Sequence, residues 1–389
     1  MSSTETATDP NQPVASRSTS TTATATATAA VPARATRLRG LDGLRFVAAF
    51  AVLGYHFTGI GLDTWGVIPA VKFPTLQHLT RYGFIGVELF FMISGFVILM
   101  TAYGRKLEDF VASRASRLFP AYWAAVIITV ILQQFWHGGR GTGLMDGLVN
   151  LTMMQGAFDV SPVQGAFWTL WVELKFYLLM GVFVLVGITR RRVLAFALIW
   201  PVMGQLADAT DTNLLNSLLF PTYAPFFAVG MLLFLIYRDR GDIVAWLGVG
   251  LNLIWCLQYV TDYAERASEL VKRPVSPTVL AVIVLLMVVA IWAVSSGPLA
   301  ALDWRWLTVV GGLTYPLYLI HVQFGFFIID LTHEHLPAYL VLAMAIAVVL
   351  VLAVLLHYGV EERLHRPMRK AVRNALNKTS QAATGGRNG

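Results

Sequence analysis

Ten apolar runs recur along this chain, and each is about long enough to cross a lipid bilayer. The hydrocarbon core of a bilayer, ~30 Å thick, requires about 20 apolar residues in a helix. With 56% hydrophobic and 13% charged residues, the 389-residue chain is too apolar for a soluble domain of this size. The runs cover residues 43–61, 83–102, 118–136, 167–188, 193–208, 214–236, 243–260, 277–294, 306–331 and 337–358. We therefore predict an all-α polytopic membrane protein of about ten transmembrane helices; the short fifth run and the long ninth leave nine or eleven open.

The lysine and arginine residues predict how these runs are oriented. Basic residues are favoured in short cytoplasmic loops. If the N-terminus is cytoplasmic, the segments on that side hold 21 basic residues and the opposite loops hold six. Both termini are therefore predicted to be cytoplasmic, in a multi-pass protein of the cell membrane. Because the basic residues lie in small groups at the ends of apolar runs, the net charge of +7 does not indicate a nucleic-acid partner.

The chain divides into three predicted segments. Residues 1–38 are rich in Ser, Thr and Ala and are predicted to form a disordered cytoplasmic tail. Residues 39–370 form the transmembrane domain, and residues 371–389 are predicted to be a disordered basic tail. The single cysteine, Cys256, excludes a disulfide framework and a thiolate metal site, and no metal site is predicted.

Among the polar side chains inside predicted spans, four stand out, because a charge there costs at least ~2.5 kcal/mol and so requires a partner or a function. They are His56, Glu88, Glu173 and His321. At 1.5 Å per residue, each lies ~8 to 10 Å below the outer edge of its span, so all four can share one layer. A histidine paired with a carboxylate can act as a general base, and a proton relay in a transporter uses the same pair. The spacing does not separate these two functions.

Three arginines are candidates for binding an anionic ligand. Arg45 lies eleven residues before His56, which places both on one helix face and ~16 Å apart along the axis. Arg114 and Arg117 are three residues apart and share a helix face, which forms a forked donor pair suited to phosphates. The alternative for each arginine is an anchor at the membrane surface.

Five motifs resemble those of the acyltransferase family 3, integral membrane proteins that transfer an acyl group from acyl-CoA to a hydroxyl. In chain order they are LDGLRFVAAFAVLGYH, GFIGVELFFMISGF, RASRLFPAYW, FWTLWVELKFY and LTYPLYLIH. The resemblance covers about residues 40 to 370. One departure is the segment VEERLHRPMRK, in which four residues separate Glu362 and Pro367 where family members often have one.

The resemblance implies a role for each candidate residue. His56 is expected at the acyl-transfer centre with Glu173 in support, and Arg114 and Arg117 are expected to bind the CoA phosphates, with Arg45 in the donor channel. Further candidates for a supporting or acceptor-binding role are Glu88, Trp168, Tyr177 and His321. Either direct transfer, with His56 as general base, or a covalent acyl-histidine would be consistent with this set.

The resemblance also implies the substrates. Acyl-CoA, such as acetyl-CoA, is the expected donor, and no permanently bound cofactor is predicted. The acceptor is expected to be a sugar hydroxyl, either on an envelope polysaccharide or glycolipid or on a glycosylated metabolite such as a macrolide. A proton-coupled transporter is the alternative function, although the two similar halves that such proteins often have are not seen in the sequence.

Overall fold

The computed structural model describes residues 38–385, apart from residues 62, 137, 140 and 211. This part of the chain is all-α and contains no strand. The predicted N-terminal tail lies outside the described residues except for Leu38. The long helices are α1 (Arg39–Gly54), α2 (Gly86–Ala102), α3 (Leu107–Phe135), α4 (Trp168–Val186), α5 (Arg190–Ala209), α6 (Ala224–Arg238), α7 (Ile243–Val271), α8 (Pro277–Ser295), α9 (Arg305–Thr332), α10 (Ala338–Leu356) and α11 (Glu362–Gly385).

Short helical segments lie between or continue the long helices. Two π-helical turns, Tyr55–Gly59 and His357–Glu361, extend α1 and α10. The short α-helices are Pro69–Lys72, Gln77–Thr80, Leu144–Asn150 and Asn213–Leu219. The 3-10 turns are Asp63–Trp65, Gly83–Ile85, Gln155–Ala157 and Gly165–Phe167.

Nine helices in the described part of the chain are long and apolar enough to cross a membrane, and they correspond to α2 through α10. Nine of the ten predicted spans are therefore confirmed as candidate spans. The first predicted span, α1, is not among the nine. It has only 16 residues as an α-helix, and it carries Arg39, Asp42 and Arg45 in its first two turns. Sixteen residues are fewer than the ~20 that a helix needs to cross the hydrocarbon core.

Several boundaries differ from the prediction because polar residues extend helices beyond their apolar runs. Helix α3 begins at Leu107 instead of residue 118, and α7 ends at Val271 instead of residue 260. The prediction of a disordered tail from residue 371 is corrected, since α11 continues to Gly385. This helix packs along the first turns of α3.

The bundle is built around α2 and α6, which are buried along most of their length. The two helices approach closely at glycines. A Cβ atom on Gly230 would fall against the carbonyl oxygen of Met92, and one on Gly95 would fall against the carbonyl oxygen of Phe227. Small residues permit such backbone contact between helices in a membrane, where the hydrophobic effect does not drive association. Helix α1 packs against α2, α8 and α9 and so lies beside this core.

Substitution of Gly230 by valine tests this close contact. We expect Gly230→Val to destabilise the protein by at least ~1 to 3 kcal/mol, because backbone atoms of α2 cannot move aside as a side chain would. The measurement is the thermal unfolding midpoint of the purified protein in detergent. Gly250→Val is the matched control, because a Cβ at Gly250 of α7 meets nothing within 4 Å. Equal midpoints for the two variants would contradict the glycine contact.

Candidate active site

His56 lies in the π-helical turn that ends the first helix. In this turn the backbone N–H of Ile60 donates to the carbonyl of Tyr55, five residues earlier, at 2.7 Å. Two side chains hold the turn from outside: Trp65 Nε1 donates to Phe57 O at 2.8 Å, and Gln77 Nε2 donates to Gly59 O at 3.1 Å. Single π turns inside helices occur frequently at functional sites because they re-aim a side chain.

The structure places His321 of α9 directly against His56. Nε2 of His321 lies 3.2 Å from Nδ1 of His56, and the two ring centroids are 5.0 Å apart. His321 Nδ1 lies 3.0 Å from the carbonyl oxygen of Tyr318, and His56 Nδ1 lies 2.9 Å from that of Val52.

The two backbone carbonyls determine the tautomer of each neutral ring. A carbonyl oxygen can only accept a hydrogen bond, so both Nδ1 atoms carry the proton. The proton on His56 Nδ1 is then shared between two acceptors, Val52 O and His321 Nε2. His56 Nε2 is then the unprotonated nitrogen of the neutral ring. In this arrangement His321 orients the ring of His56, and neutral histidine is a side chain that can take up a proton near neutral pH.

His56 lines a cavity of about 660 Å³, which we call the aromatic cavity. Its aromatic wall consists of Tyr55, Phe84, Trp136, Trp168, Tyr223, Tyr259, Tyr263, Tyr318 and Phe326. Its polar groups include Glu88, Gln323 and Asp330. Aromatic walls with a few polar groups are typical of small-molecule sites, where the polar groups determine orientation.

Glu88 is the buried carboxylate of the aromatic cavity. It is 3% exposed, and its Oε2 has no hydrogen-bond partner among the described residues. The hydroxyl of Tyr259 lies beside it within hydrogen-bonding range. A buried acceptor of this kind is stabilised when a ligand donates a hydrogen bond to it.

A second, smaller cavity of about 80 Å³ contains the predicted carboxylate and two of the predicted arginines. We call it the arginine cavity, and its polar lining consists of Arg45, Ser94, Arg117, Thr169, Glu173, Tyr177, Thr314, Tyr315 and Tyr318. Glu173 Oε1 accepts hydrogen bonds from Ser94 Oγ at 3.0 Å and from Tyr177 Oη at 2.9 Å.

Electrostatic attraction and repulsion both act on the arginines near this cavity. Arg45 and Arg117 repel one another, and Glu173 and Asp42 attract Arg45. Arg114, on the same face of α3 as Arg117, places its guanidinium carbon 5.9 Å from the ring centroid of Tyr177. The region therefore carries more positive than negative charge, as an anion site requires.

Tyr318 and Val87 line both cavities and so lie between them. The hydroxyl of Tyr318 lies 2.7 Å from Thr169 Oγ1 and 3.2 Å from the carbonyl oxygen of Ala166. These contacts tie α9 to the start of α4. Tyr318, whose carbonyl orients His321, thus also separates the aromatic cavity from the arginine cavity.

Comparison with known proteins identifies the family of this architecture. The family model of the acyltransferase 3 domain matches residues 38–358, which is most of the chain. The chain belongs to the acyltransferase 3 family. The resemblance found in the five motifs is thereby confirmed, and the protein is an acyltransferase-family enzyme.

Three curated relatives of this family member illustrate the match. The peptidoglycan O-acetyltransferase OatA of Listeria monocytogenes is 28% identical over 38% of this chain and 24% of the relative. The acyltransferase MdmB of Streptomyces mycarofaciens is 31% identical over 38% of this chain and 39% of its own length. The exopolysaccharide production protein ExoZ of Rhizobium meliloti is 35% identical over 25% of this chain and 31% of its own. The chain therefore spans well under half the length of these relatives, and no solved structure matches it.

The structure of this family member brings some predicted residues together and separates others. His56 meets His321, and the aromatic cavity also contains Glu88 and Trp168. Glu173, which the resemblance implies supports His56, lies in the arginine cavity with Tyr177. The side chain that contacts the ring of His56 is that of His321.

Sequence reasoning missed several residues of the two cavities. Tyr318 and Ser94 stand inside the quoted motifs LTYPLYLIH and GFIGVELFFMISGF, yet nothing in their spacing indicated contact with other helices. Tyr259 and Tyr263 of α7 are four residues apart and their rings stack with centroids 5.7 Å apart. That spacing was a usable signal, because residues four apart share a helix face. Within the described residues, no cluster of three or more His, Cys, Asp or Glu side chains could hold a metal ion.

Proposed function

We propose that this protein is an integral membrane O-acyltransferase that moves an acyl group, such as acetyl, from acyl-CoA to a hydroxyl of a sugar-bearing acceptor. The observation that carries the proposal is the carbonyl-oriented His56–His321 pair beside the aromatic cavity, with an arginine-lined cavity on the other side of Tyr318. One cavity has the base and hydrogen-bonding groups for an acceptor. The other has the positive charge for a donor with phosphates.

The proposed reaction is direct transfer. His56 Nε2 removes the proton of the acceptor hydroxyl as its oxygen attacks the thioester carbonyl carbon. The new C–O bond forms, the C–S bond breaks, and the imidazolium of His56 returns the proton to the CoA sulfur. His321 supports the cation, because its Nε2 accepts the hydrogen bond of His56 Nδ1 in both protonation states. A covalent acyl-histidine is the other route that the same residues permit.

The donor is proposed to reach His56 through the arginine cavity. Arg45, Arg114 and Arg117 supply positive charge for the CoA phosphates. Glu173, bound by Ser94 and Tyr177, balances these arginines before the donor binds. The thioester then has to pass Tyr318 and Val87, the two residues that line both cavities.

The acceptor is proposed to bind in the aromatic cavity. A sugar ring has apolar faces and a rim of hydroxyls, which suits tyrosine and tryptophan rings next to the buried carboxylate of Glu88. The names of two relatives, a peptidoglycan O-acetyltransferase and an exopolysaccharide production protein, support an envelope glycan or glycolipid. A glycosylated metabolite is the second acceptor class. Mass analysis of envelope glycans, lipids and secreted metabolites with and without the gene would identify the acylated product.

Acyl transfer from labelled acetyl-CoA in membranes tests the histidine pair. We expect His56→Ala to lower the rate by about 10²- to 10⁴-fold, the usual contribution of a general base. His321→Ala should lower it less, and the double variant should fall no further than His56→Ala alone, because the two residues act as one unit. The control is His335→Ala, since His335 is exposed in a loop.

Two results would contradict this account. Retained transfer in His56→Ala, at unchanged protein abundance, would exclude His56 as the base. Independent, additive losses for the two histidines would exclude the pairing. Solute uptake by the reconstituted protein without acyl-CoA would favour the transporter instead.

The orientation of the protein in the membrane is part of the proposal. We propose ten spans, with α1 and its π-helical turn as the first, both termini in the cytoplasm, and a location in the cell membrane. The excess of basic residues on one side supports this orientation.

Cysteine labelling tests the orientation directly, because the natural Cys256 is fully buried and gives little background. Lys106→Cys and Ser161→Cys place a thiol at exposed positions in the proposed cytoplasmic and external loops. A membrane-impermeant maleimide added to intact cells should label Ser161→Cys at once and Lys106→Cys only after permeabilisation. The reverse pattern would overturn the proposed orientation.

A further inference from the structure

Helix α11 lies outside the part of the chain that the family model matches. The match ends at residue 358, whereas α11 runs from Glu362 to Gly385. Its sequence ERLHRPMRKAVRNALNKTSQAATG carries six arginines and lysines and one acidic residue. The helix packs along α3, the helix that carries Arg114 and Arg117.

The register between α11 and α3 follows from one ion pair. Arg373 Nε lies 3.3 Å from Asp109 Oδ1. His365, which precedes Arg373 on α11, interacts electrostatically with Arg114 and Arg117, which follow Asp109 on α3. The two helices therefore run in opposite directions. At 1.5 Å per residue, His365 and Arg117 each lie ~12 Å from the ion pair and are level with one another. Arg369, ~6 Å from it, is level with the turn that bears Arg114.

The same face of α11 therefore adds positive charge to the arginine pair of α3. His365, Arg369 and Arg373 are spaced four residues apart and share that face. His365 and Arg369 are both half-buried. Arg373 is occupied by Asp109, but Arg369 is close enough to His365 for the two to repel.

Two acidic groups near this cluster, Glu361 and Glu362, contact His357, although Glu361 also attracts His365. Glu361 Oε2 is 2.9 Å from His357 Nδ1, and Glu362 Oε1 is 3.7 Å from His357 Nε2. Arg114 Nε is buried and has no hydrogen-bond partner among the described residues. Packed positive groups repel one another unless an anion lies between them, so this cluster is suited to a multiply charged phosphate.

We infer that Arg369, assisted by His365, binds the 3′-phosphate of CoA. The inference rests on the proposed function, in which the thioester points through the arginine cavity toward His56. The diphosphate of CoA lies between the pantetheine arm and the 3′-phosphorylated ribose, so Arg114 and Arg117 meet the diphosphate first. The ribose phosphate then projects away from the cavity, toward α11. This gives α11 the role of distinguishing CoA from carriers that lack the 3′-phosphate.

Binding of acetyl-CoA and of 3′-dephospho-acetyl-CoA to the full chain tests this assignment without knowledge of the acceptor. The protein is placed in phosphatidylcholine nanodiscs and titrated calorimetrically with each donor. We expect the wild type to bind acetyl-CoA about tenfold more tightly, the usual effect of a charge-assisted hydrogen bond. Arg369→Gln should reduce this preference to about twofold or less and leave the affinity for the dephospho donor nearly unchanged.

Arg363→Gln is the matched control. Arg363 lies on the same helix, is exposed, and is ~120° around the helix from Arg369. It should retain the full preference for the 3′-phosphate. Equal weakening of both donors by Arg369→Gln would overturn the inference, because it would show a general charge or folding effect. A similar loss of preference in Arg363→Gln would overturn it as well.

Failure of the inference and failure of the proposed function give different results. A wild type that binds both donors equally overturns only the role of α11. A wild type that binds neither donor overturns the proposed function. Repeating the titration with phosphatidylglycerol in the nanodisc distinguishes CoA from a lipid phosphate. An unchanged preference for the 3′-phosphate supports CoA as the ligand. Loss of that preference shows that the lipid headgroup occupies the cluster, and it overturns the assignment.

Discussion

The hydrogen bond between His56 and His321 is the interaction on which the arrangement of the candidate site depends. It joins α1 to α9, and both rings are oriented by carbonyls of their own helices. Because these carbonyls can only accept, the proton positions are set before any substrate binds. If His56 is the base, as proposed, this orientation means that little rearrangement is needed during reaction, which is a source of catalytic stabilisation. The π-helical turn that brings His56 to α9 is therefore part of the site.

The division into two cavities separates two kinds of electrostatic environment. The arginines and Glu173 lie together, where opposite charges can compensate one another away from water. The histidine pair needs no compensating charge while both rings are neutral, so it can stand in an aromatic wall. Tyr318 lines both cavities, as Val87 does, and it also provides the carbonyl for His321. Donor and acceptor can thus be bound by different chemistry within a short distance.

The sequence predicted the helices well and the contacts between them less well. Apolar length is a local property, so nine candidate spans were found close to their observed positions. The ends of α3 and α7 were missed because their polar extensions are stabilised by neighbouring helices beyond the apolar run. The shared depth of His56, Glu173 and His321 was computed along each helix axis alone. The depth of a residue in the membrane does not specify how its helix is rotated about its own axis. That rotation places His321 against His56, and Glu173 against Ser94 and Tyr177.

By itself, the sequence determined the all-α class, the span positions and the family, because each follows from the order and polarity of residues along the chain. It also identified the two arginines and the two glutamates, Arg45, Arg117, Glu88 and Glu173, that line the two cavities, together with His56. Only the tertiary structure decided which of these side chains meet, where Tyr318 divides the space, and that α11 returns to the arginines of α3. The physical reason is that helix rotation and packing depend on close contacts such as that of Gly230 with Met92, which join residues far apart in the chain.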